Sequence, residues 1–364
     1  MSAVQFRKQL RAIPPYVPGM PLDEAKRRFG LNEVVKLASN ECPLGPFPSV
    51  VSQMPSWAQE CNRYPDNDCH DLLASLCQIL NVSREEILIG NGSAEIIGRT
   101  ALALLEPGDE IVITWPTFPY YEIAAQLAGA TARKVPMAPN YHYDLEGMLA
   151  AIGARTKLLA ICNPNNPTGT YVPERELRSF LDAVPRNVLV VADEAYFEYT
   201  MAEDYATVLP DARRRENLLV TRTFSKIYGL AGLRIGYAVT NSEVAAQIRK
   251  AQGPFSVNTL AQMAAVESLR HPELVEDRKR LNSAWKKALC DGLASQGYPF
   301  AESEANFVMT KLGDNSETLF TEFVRRGVII RPATSDGWMR VTVGTLEENQ
   351  RFLRALEDLR LPRP

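Results

Sequence analysis

Short apolar runs alternate with helix-like patterns through the middle of the chain. Residues 85–116, EEILIGNGSAEIIGRTALALLEPGDEIVITWP, have the pattern of a strand, a helix and a second strand. Three further apolar runs each end in polar residues: TKLLAICNP at 156–164, NVLVVADEAY at 187–196 and NLLVTRTFSK at 217–226. Runs that are apolar on both faces are typical of parallel strands covered by helices. The pattern therefore predicts an α/β fold with a mostly parallel sheet.

The pattern changes after about residue 245. It predicts two longer helical stretches near 243–270 and 272–297, short apolar segments at 305–311, 327–331 and 338–343, and a last helix at 346–359. This succession favours a smaller α+β domain. Four prolines between positions 14 and 21 disfavour a core element at the N-terminus. We expect an N-terminal arm (1–35) that packs with the small domain, a large domain (36–245) and a small C-terminal domain (246–364).

Composition narrows the class of protein. The 364 residues are 46% hydrophobic and 23% charged, with a formal net charge of -3, which suits a globular chain with a sizeable core. No basic face is implied, so nucleic acid is not an expected partner. No signal peptide is recognisable, and no apolar stretch reaches the roughly 18 residues of a membrane span. We expect a cytoplasmic protein that does not bind a membrane.

Few residues suit a metal site. The chain has three histidines, and its six cysteines include no C-x-x-C pair. Zinc sites in proteins are usually built from clustered cysteine and histidine ligands. No metal is therefore expected.

Polar residues with useful chemistry follow several of the predicted strands. Asn166 lies in NPNNPTG after one strand, and Asp193 and Tyr196 belong to DEAY at the end of the next. Lys226 ends TFSK after a third strand, and Arg234 follows eight residues later. Each motif alone could be a turn, a strand end or a solvated lysine. Because α/β proteins bind ligands at the carboxyl ends of parallel strands, their order along the chain indicates one functional site.

This order of Asn, Asp, Tyr, Ser-x-Lys and Arg resembles the fold-type-I aminotransferases that depend on pyridoxal 5′-phosphate. The resemblance covers nearly the whole chain, and within the family it points to the histidinol-phosphate aminotransferases. The supporting segments are YVPG at 16–19, LASNECPLGP at 37–46, YPD at 64–66, NGSAEII at 91–97, NPNNPTGT at 163–170 and MRVTVGT at 339–345. The resemblance implies the corresponding two-domain fold, a transaminase of amino-acid (histidine) biosynthesis, and a homodimer.

The resemblance also implies catalytic roles for three residues. Lys226 would bond covalently to the cofactor aldehyde and, once released, move the Cα proton. Burial and nearby cations are expected to lower its pKa. Asp193 would keep the pyridine nitrogen protonated. Tyr196, together with Asn166, would donate a hydrogen bond to the ring O3′, although Tyr196 could also be a core residue and Asn166 could simply hold its turn.

The cofactor phosphate needs several donors. A strand and a glycine lead into a helix at 93–95, so the first backbone N–H groups of that helix would point at an anion. Two hydroxyls and one arginine complete the predicted phosphate contacts. The residues with this role are Ser93, Ala94, Glu95, Thr223, Ser225 and Arg234.

Two aromatic residues complete the predicted cofactor site. Phe118, in WPTFPYY, would stack on the cofactor ring, and its alternative is a place in the core. Tyr64, in YPD, would reach the cofactor phosphate of a second subunit. The active site would then lie at the interface of a homodimer.

Arg340 is expected to bind the substrate carboxylate, because a guanidinium binds a carboxylate through two parallel hydrogen bonds. Tyr16 and Asn40 are candidate wall residues, and Arg331 is a second possible anion contact or a surface arginine. The implied substrates are an amino donor, L-histidinol phosphate, and a 2-oxo acid acceptor, 2-oxoglutarate. In the reverse direction L-glutamate is the donor and imidazole acetol phosphate the acceptor.

The chain departs from the family pattern at two places. Only PATSDGWM separates Arg331 from Arg340, where the family has a longer loop, and Cys42 replaces the usual Asn of N-E-N-P. Both places lie near the expected substrate side. Transamination of another amino acid or amino phosphate, decarboxylation of an amino phosphate, and cofactor binding without catalysis therefore stay open as alternatives.

Overall fold

The computed structural model describes residues 4–13 and 19–362. Within these ranges the helices are α1 (Leu22–Phe29), α2 (Pro48–Trp57), α3 (His70–Leu80), α4 (Ser93–Leu104), α5 (Tyr120–Ala128), α6 (Leu145–Ala150), α7 (Glu174–Ala183), α8 (Leu209–Ala212), α9 (Ser242–Arg249), α10 (Thr259–Leu269), α11 (Pro272–Ser295), α12 (Ser316–Arg325) and α13 (Leu346–Leu359). The strands are β1 (Val35–Lys36), β2 (Ile87–Gly90), β3 (Glu110–Trp115), β4 (Thr131–Pro136), β5 (Thr156–Cys162), β6 (Leu189–Asp193), β7 (Leu218–Thr223), β8 (Gly236–Thr240), β9 (Phe307–Lys311), β10 (Val328–Ile329), β11 (Arg331–Pro332) and β12 (Trp338–Thr342). None of these helices is both long and apolar enough to cross a membrane.

A seven-stranded sheet forms the centre of the fold, with the strand order β2-β8-β7-β6-β5-β3-β4. Its pairs are parallel from β7 through β6, β5 and β3 to β4, and β8 is antiparallel to both of its neighbours. Along β5, Leu159 and Ile161 belong to one buried cluster and Leu158 and Ala160 to a second. Because successive side chains point to opposite faces, the sheet is buried on both sides. The predicted α/β fold with a mostly parallel sheet is confirmed.

A second, antiparallel sheet has the order β11-β12-β9. Helices α11, α12 and α13 cover it through a separate buried cluster that includes Leu289, Phe323 and Phe352. Helix α1 packs next to α12 through Ala25 and Val324, and β1 pairs with β10. Helix α10 belongs to a cluster of the large sheet. The division of the chain at residues 35 and 245 stays a prediction.

The single helical stretch predicted near 243–270 is wrong. The structure has two helices there, α9 and α10, with residues 250–258 between them. Gly253 and Pro254 lie in this gap, and Phe255 has a φ of 52°. Proline lacks the N–H that a helix needs, and a left-handed residue ends the helical path. The predicted helices at 272–297 and 346–359 correspond to α11 and α13.

Candidate active site

Thirteen of the predicted site residues line one cavity at the carboxyl edge of the large sheet. The cavity has a volume of about 360 Å³, and residues of β11 and β12 contribute another part of its wall. Parallel strands β5, β6 and β7 end side by side, which brings together residues that are far apart in sequence. The predicted residues in the lining are Asn40, Ser93, Ala94, Phe118, Asn166, Asp193, Tyr196, Thr223, Ser225, Lys226, Arg234, Arg331 and Arg340.

Lys226 enters this cavity from the loop after β7. Its Nζ donates a hydrogen bond to the backbone oxygen of Ser39 at 3.2 Å. Burial, and then the nearby guanidinium of Arg340, lowers the pKa of Lys226 to about 8. The carboxylate of Glu41 opposes this shift and Arg234 adds to it. The amine is therefore partly neutral near physiological pH, as a nucleophile and proton carrier has to be.

Asp193 is the last residue of β6, and only 3% of its surface is exposed. Its Oδ2 accepts a hydrogen bond from the hydroxyl of Tyr121 at 2.6 Å. Its Oδ1 accepts from the hydroxyl of Thr221 at 3.0 Å and from the N–H of Ala195 at 3.2 Å. Burial raises the pKa of Asp193, and these three hydrogen bonds oppose the shift. A well-held buried carboxylate of this kind suits a cationic partner such as a pyridinium nitrogen.

Sequence reasoning missed both side chains that bind Asp193. Thr221 is its register partner on β7, and a polar residue inside the apolar run NLLVTRT was a usable signal. Tyr121 lies in the first turn of α5, three residues after Phe118. Nothing in the local sequence distinguishes this tyrosine from one that only fills the core.

One end of the cavity suits an anion. Helix α4 begins there at Ser93, and Nη1 of Arg234 donates to Oγ of Ser225 at 3.3 Å. The N–H of Ser225 donates to the hydroxyl oxygen of Thr223 at 3.1 Å. Gly92 has a φ of 79°, and a Cβ at this position would collide with the guanidinium of Arg234. A helix N-terminus, hydroxyls and a guanidinium this close together suit a phosphate group.

Tyr196 and Asn166 are held by residues from the two ends of the chain. The hydroxyl of Tyr196 accepts a hydrogen bond from Nδ2 of Asn40 at 2.9 Å, and its ring packs edge-on against Phe307. Oδ1 of Asn166 accepts from Nη1 of Arg340 at 2.5 Å. The loops at the end of the large sheet are thus bonded directly to β12 and to the segment before α2.

The segment of residues 38–40 contacts three of the predicted site residues in succession. The pairs are Ala38 with Arg340, Ser39 with Lys226 and Asn40 with Tyr196. Asn40 has a φ of 54°, and its N–H donates to the hydroxyl oxygen of Thr342 at 2.9 Å. Asn306 donates to the backbone oxygen of Asn40 at 3.1 Å. The segment therefore joins the large sheet to the small one at the cavity.

Two predicted site residues, Glu95 and Tyr64, lie outside the cavity lining. The side chain of Glu95 accepts from the N–H of Asn91, and the N–H of Glu95 donates to the backbone oxygen of Gly92 at 3.2 Å, so Glu95 is not part of the cavity lining. Tyr64 is 82% exposed and stacks on Phe255 with 4.7 Å between the ring centres. Tyr16 lies outside the described residues. Their roles stay predictions.

A buried ion pair supports the strand ends next to the cavity. Glu194, which follows Asp193, accepts from Nη2 of Arg222 at 2.9 Å, and both side chains are less than 10% exposed. Glu198 interacts electrostatically with Arg222, yet its Oε2 has no hydrogen-bond partner among the described residues. Burial, opposed by Arg222, raises the pKa of Glu198 to about 7. The pair of Glu194 and Arg222 therefore ties the end of β6 to β7, and Glu198 beside it titrates near neutral pH.

The residues in the cavity fit pyridoxal 5′-phosphate. A partly neutral lysine can bond to the aldehyde, a buried carboxylate can face the ring nitrogen, and Phe118 offers an aromatic face. A Cβ at Gly92 would collide with Arg234, and one at Gly236 would collide with the start of α4. Glycine at both positions therefore leaves room at the anion end of the cavity. No cluster of three or more metal-ligating side chains occurs in the part of the chain that the structure describes.

The sequence of the chain is similar to that of known aminotransferases, in agreement with the geometry of the site. Residues 32–356 match the family model of aminotransferase class I and II, so the chain belongs to this family. Histidinol-phosphate aminotransferase of Moorella thermoacetica is 44% identical over 357 residues, which are 97% of this chain and 92% of that protein. Histidinol-phosphate aminotransferase 2 of Carboxydothermus hydrogenoformans is 41% identical, over 96% of this chain and 98% of that protein.

A solved structure shows the same fold. The crystal structure of histidinol-phosphate aminotransferase from Sinorhizobium meliloti in complex with pyridoxal-5′-phosphate has a TM-score of 0.91 to this chain. The two are 26% identical, and the match covers 98% of this chain and 99% of that one. The predicted fold-type-I aminotransferase family, and with it the cofactor pyridoxal 5′-phosphate, is confirmed.

Proposed function

We propose that this aminotransferase converts L-histidinol phosphate and 2-oxoglutarate to imidazole acetol phosphate and L-glutamate, a step of histidine biosynthesis. The observation that carries the proposal is that Arg331 and Arg340 line the same cavity as Lys226. Both amino donors are anions, glutamate through its carboxylates and histidinol phosphate through its phosphate, and guanidinium groups bind both kinds of anion. The relatives at 44% and 41% identity bear the name of this activity over nearly their whole length.

Three residues do the chemistry in this proposal. When bound, the cofactor supplies the electron sink that makes the substrate Cα proton acidic. Nζ of Lys226 takes that proton, because its lowered pKa leaves the amine partly neutral. Asp193 keeps the ring nitrogen protonated from its buried position at the end of β6. The hydroxyl of Tyr196, which accepts a hydrogen bond from Asn40, would hold the ring oxygen together with Asn166.

The substrate binds on the side of the cavity that Arg331 and Arg340 line. Arg340 binds the α-carboxylate of glutamate in one half-reaction and the phosphate of histidinol phosphate in the other. Its side chain is already oriented by hydrogen bonds to Asn166 and Ala38, which reduces the cost of ordering it on binding. Arg331, which lines the same cavity, supplies a second cationic group.

The enzyme acts as a cytoplasmic homodimer in this proposal, with Tyr64 of each chain at the cofactor phosphate of the other. Support comes from the 82% exposure of Tyr64, which does not line the cavity of its own chain. Tyr64 stacks on Phe255, whose N–H donates to Oδ1 of Asn67 at 2.9 Å. This exposed aromatic pair is therefore held in place before a partner binds.

Half-reactions of the purified holoenzyme test the substrates. L-Glutamate and L-histidinol phosphate should each convert the bound cofactor to its amino form, seen by absorbance, with 2-oxoglutarate and imidazole acetol phosphate detected by mass spectrometry. Lys226→Ala is the control that should convert neither. Conversion by glutamate or an aromatic amino acid, but not by histidinol phosphate, would disprove the substrate assignment and leave the aminotransferase class intact. Release of CO₂ from an amino phosphate would instead indicate a decarboxylase.

A further inference from the structure

The two oxygens of Asp193 are bound by donors from different elements. Oδ1 accepts hydrogen bonds from the hydroxyl of Thr221 on β7 and from the backbone N–H of Ala195. Oδ2 accepts from the hydroxyl of Tyr121 on α5 at 2.6 Å. Among the described residues, Tyr121 is the hydrogen-bond donor to Oδ2. Hydrogen bonds to an ionised carboxylate are short and about twice as strong as neutral ones. The orientation of this carboxylate therefore depends strongly on one hydroxyl.

Tyr121 is itself rigidly placed. Its side chain is 2% exposed, and its ring meets that of Phe118 edge-on, with 5.6 Å between centres and an angle of 89° between planes. Phe118 lies two residues before α5, and Tyr121 is the second residue of that helix. The aromatic face expected at the cofactor ring and the hydroxyl that holds Asp193 are thus positioned by one turn of chain.

The tyrosine and the cysteine that lie next to Asp193 both stay neutral, so Asp193 is the anionic group among these three. Burial and the charge of Asp193 raise the pKa of Tyr121 well above its ordinary value, so its hydroxyl stays a donor. Cys162 of β5 is the register partner of Asp193. Burial and Asp193 also raise the pKa of this cysteine, so it stays a neutral thiol. Lys226 is the cation that opposes the effect of burial on Asp193.

We propose that Tyr121 is a positioning residue of the reaction, whose hydroxyl orients Asp193 toward the ring nitrogen and keeps its carboxylate ionised. This inference rests on the proposed role of Asp193. Without the hydroxyl, Oδ2 would be buried without its donor, and a buried unpaired carboxylate is favoured in its protonated form. A protonated Asp193 cannot hold the proton on the ring nitrogen.

Tyr121→Phe tests the proposal, because it removes the hydroxyl and keeps the ring. We expect the dissociation constant of pyridoxal 5′-phosphate to rise, and kcat to fall, by about tenfold. The KM for glutamate should stay within about twofold, since no substrate contact is lost. The acidic limb of the pH dependence of kcat should move to higher pH. Tyr120→Phe is the matched control: Tyr120 is the preceding residue and does not line the cavity, so this variant should behave as wild type.

A double-mutant cycle separates positioning from general destabilisation. In an Asp193→Ala background, adding Tyr121→Phe should change cofactor affinity by less than about twofold, because the oxygen that accepts from the hydroxyl is already lost. An equal loss of affinity in both backgrounds would overturn the proposal, as would an acidic limb that does not move. If Tyr121→Phe fails to fold, Thr221→Val removes a donor to Oδ1 and has to move the same limb. A wild-type protein that does not transaminate would refute the proposed function itself, whereas an active wild type with an unaffected Tyr121→Phe refutes only this inference.

Discussion

Arg331 of β11 and Arg340 of β12 are direct partners across an antiparallel strand pair. Side chains opposite each other in such a pair lie on the same face of the sheet with Cβ atoms roughly 5 Å apart. The hairpin that joins the two strands is anchored, since the N–H of Gly337 donates to Oγ of Ser316 at 3.0 Å. The short connection thus holds two cationic groups side by side at the cavity.

The first prediction concerns this pair. Arg340→Lys should raise the KM of both glutamate and histidinol phosphate by about tenfold or more, because an ammonium keeps the charge but cannot make two parallel hydrogen bonds. Single-turnover kinetics with each substrate measure the effect. Arg325→Lys, an exposed arginine on α12, is the control and should change nothing. If only one of the two substrates were affected, Arg340 would not serve both half-reactions.

The second prediction concerns the cofactor lysine. Borohydride reduction of the yellow holoenzyme should attach the cofactor to Lys226, as shown by a peptide map. In the protein without cofactor, acetylation of this amine should be half-maximal near pH 8, the value to which burial and Arg340 lower its pKa. Lys286 is an internal control, because burial also lowers its pKa but it lies outside the cavity lining. The cofactor found on Lys286, or on no lysine, would refute the assignment.

The third prediction concerns Asp193. Asp193→Ala should retain some cofactor but lose transamination by on the order of 100-fold, because an unprotonated ring nitrogen is a poor electron acceptor. Steady-state kinetics and equilibrium dialysis measure the two quantities separately. Asp182→Ala removes an exposed carboxylate that pairs with Arg215 and should leave both unchanged. Activity of Asp193→Ala within a few-fold of wild type would exclude the proposed role.

The fourth prediction concerns the pH dependence of stability. The pKa of Glu198 is about 7 in the folded protein, above its ordinary 4.5. Its contribution to folding is thus fully present below about pH 4.5 and is lost as the pH rises through about 7. Glu198→Gln mimics the protonated form and should raise Tm at pH 8 by on the order of 2 °C, with little change at pH 5.

Thermal unfolding across this pH range checks the fourth prediction. The exposed Glu203 offers the control Glu203→Gln, which should follow the wild-type profile. A Glu198→Gln protein whose Tm difference from wild type is the same at pH 5 and pH 8 would show that Glu198 does not titrate in this range.

The fifth prediction concerns the partner subunit. Co-expression of a Lys226→Ala chain with a Tyr64→Ala chain should restore roughly a quarter of wild-type activity, because half of the dimers are hybrids with one intact site each. Each variant alone should be nearly inactive. The matched control combines Lys226→Ala with Asp193→Ala. Because both residues belong to the same chain's site, the hybrids contain no intact site, and this mixture should restore no activity. If the Tyr64→Ala mixture, like this control, restored no activity, Tyr64 would belong to the site of its own chain.

Much of the fold could be predicted because apolar periodicity follows burial. Strands β5, β6 and β7 are apolar on both faces since helices cover the sheet, and the chemistry lies in the polar residues that follow them. The helix predicted near 243–270 failed for a local reason. The prediction relied on the helical pattern of the whole stretch and gave too little weight to Gly253 and Pro254, although these two residues suffice to end a helix.

The contacts that complete the site could not be predicted, because they join residues with no regular spacing in sequence. Asn40 and Thr342 bond to each other across 302 positions, and no periodicity connects them. The hydroxyl of Tyr121 reaches Asp193 only because α5 packs beside the end of β6. The register that pairs Arg331 with Arg340 likewise depends on how β11 and β12 align.

The contacts of the segment 38–40 have a consequence for how the protein matures. Its partners are Arg340, Lys226 and Tyr196, so the site draws on the beginning, the middle and the end of the chain. Contacts at such large sequence separation form late, because much loop-closure entropy is lost before they can stabilise anything. A nascent chain from which β12 has not yet emerged lacks Arg340 and Thr342, so it cannot form the complete site. Catalytic competence is therefore among the last properties that this polypeptide acquires.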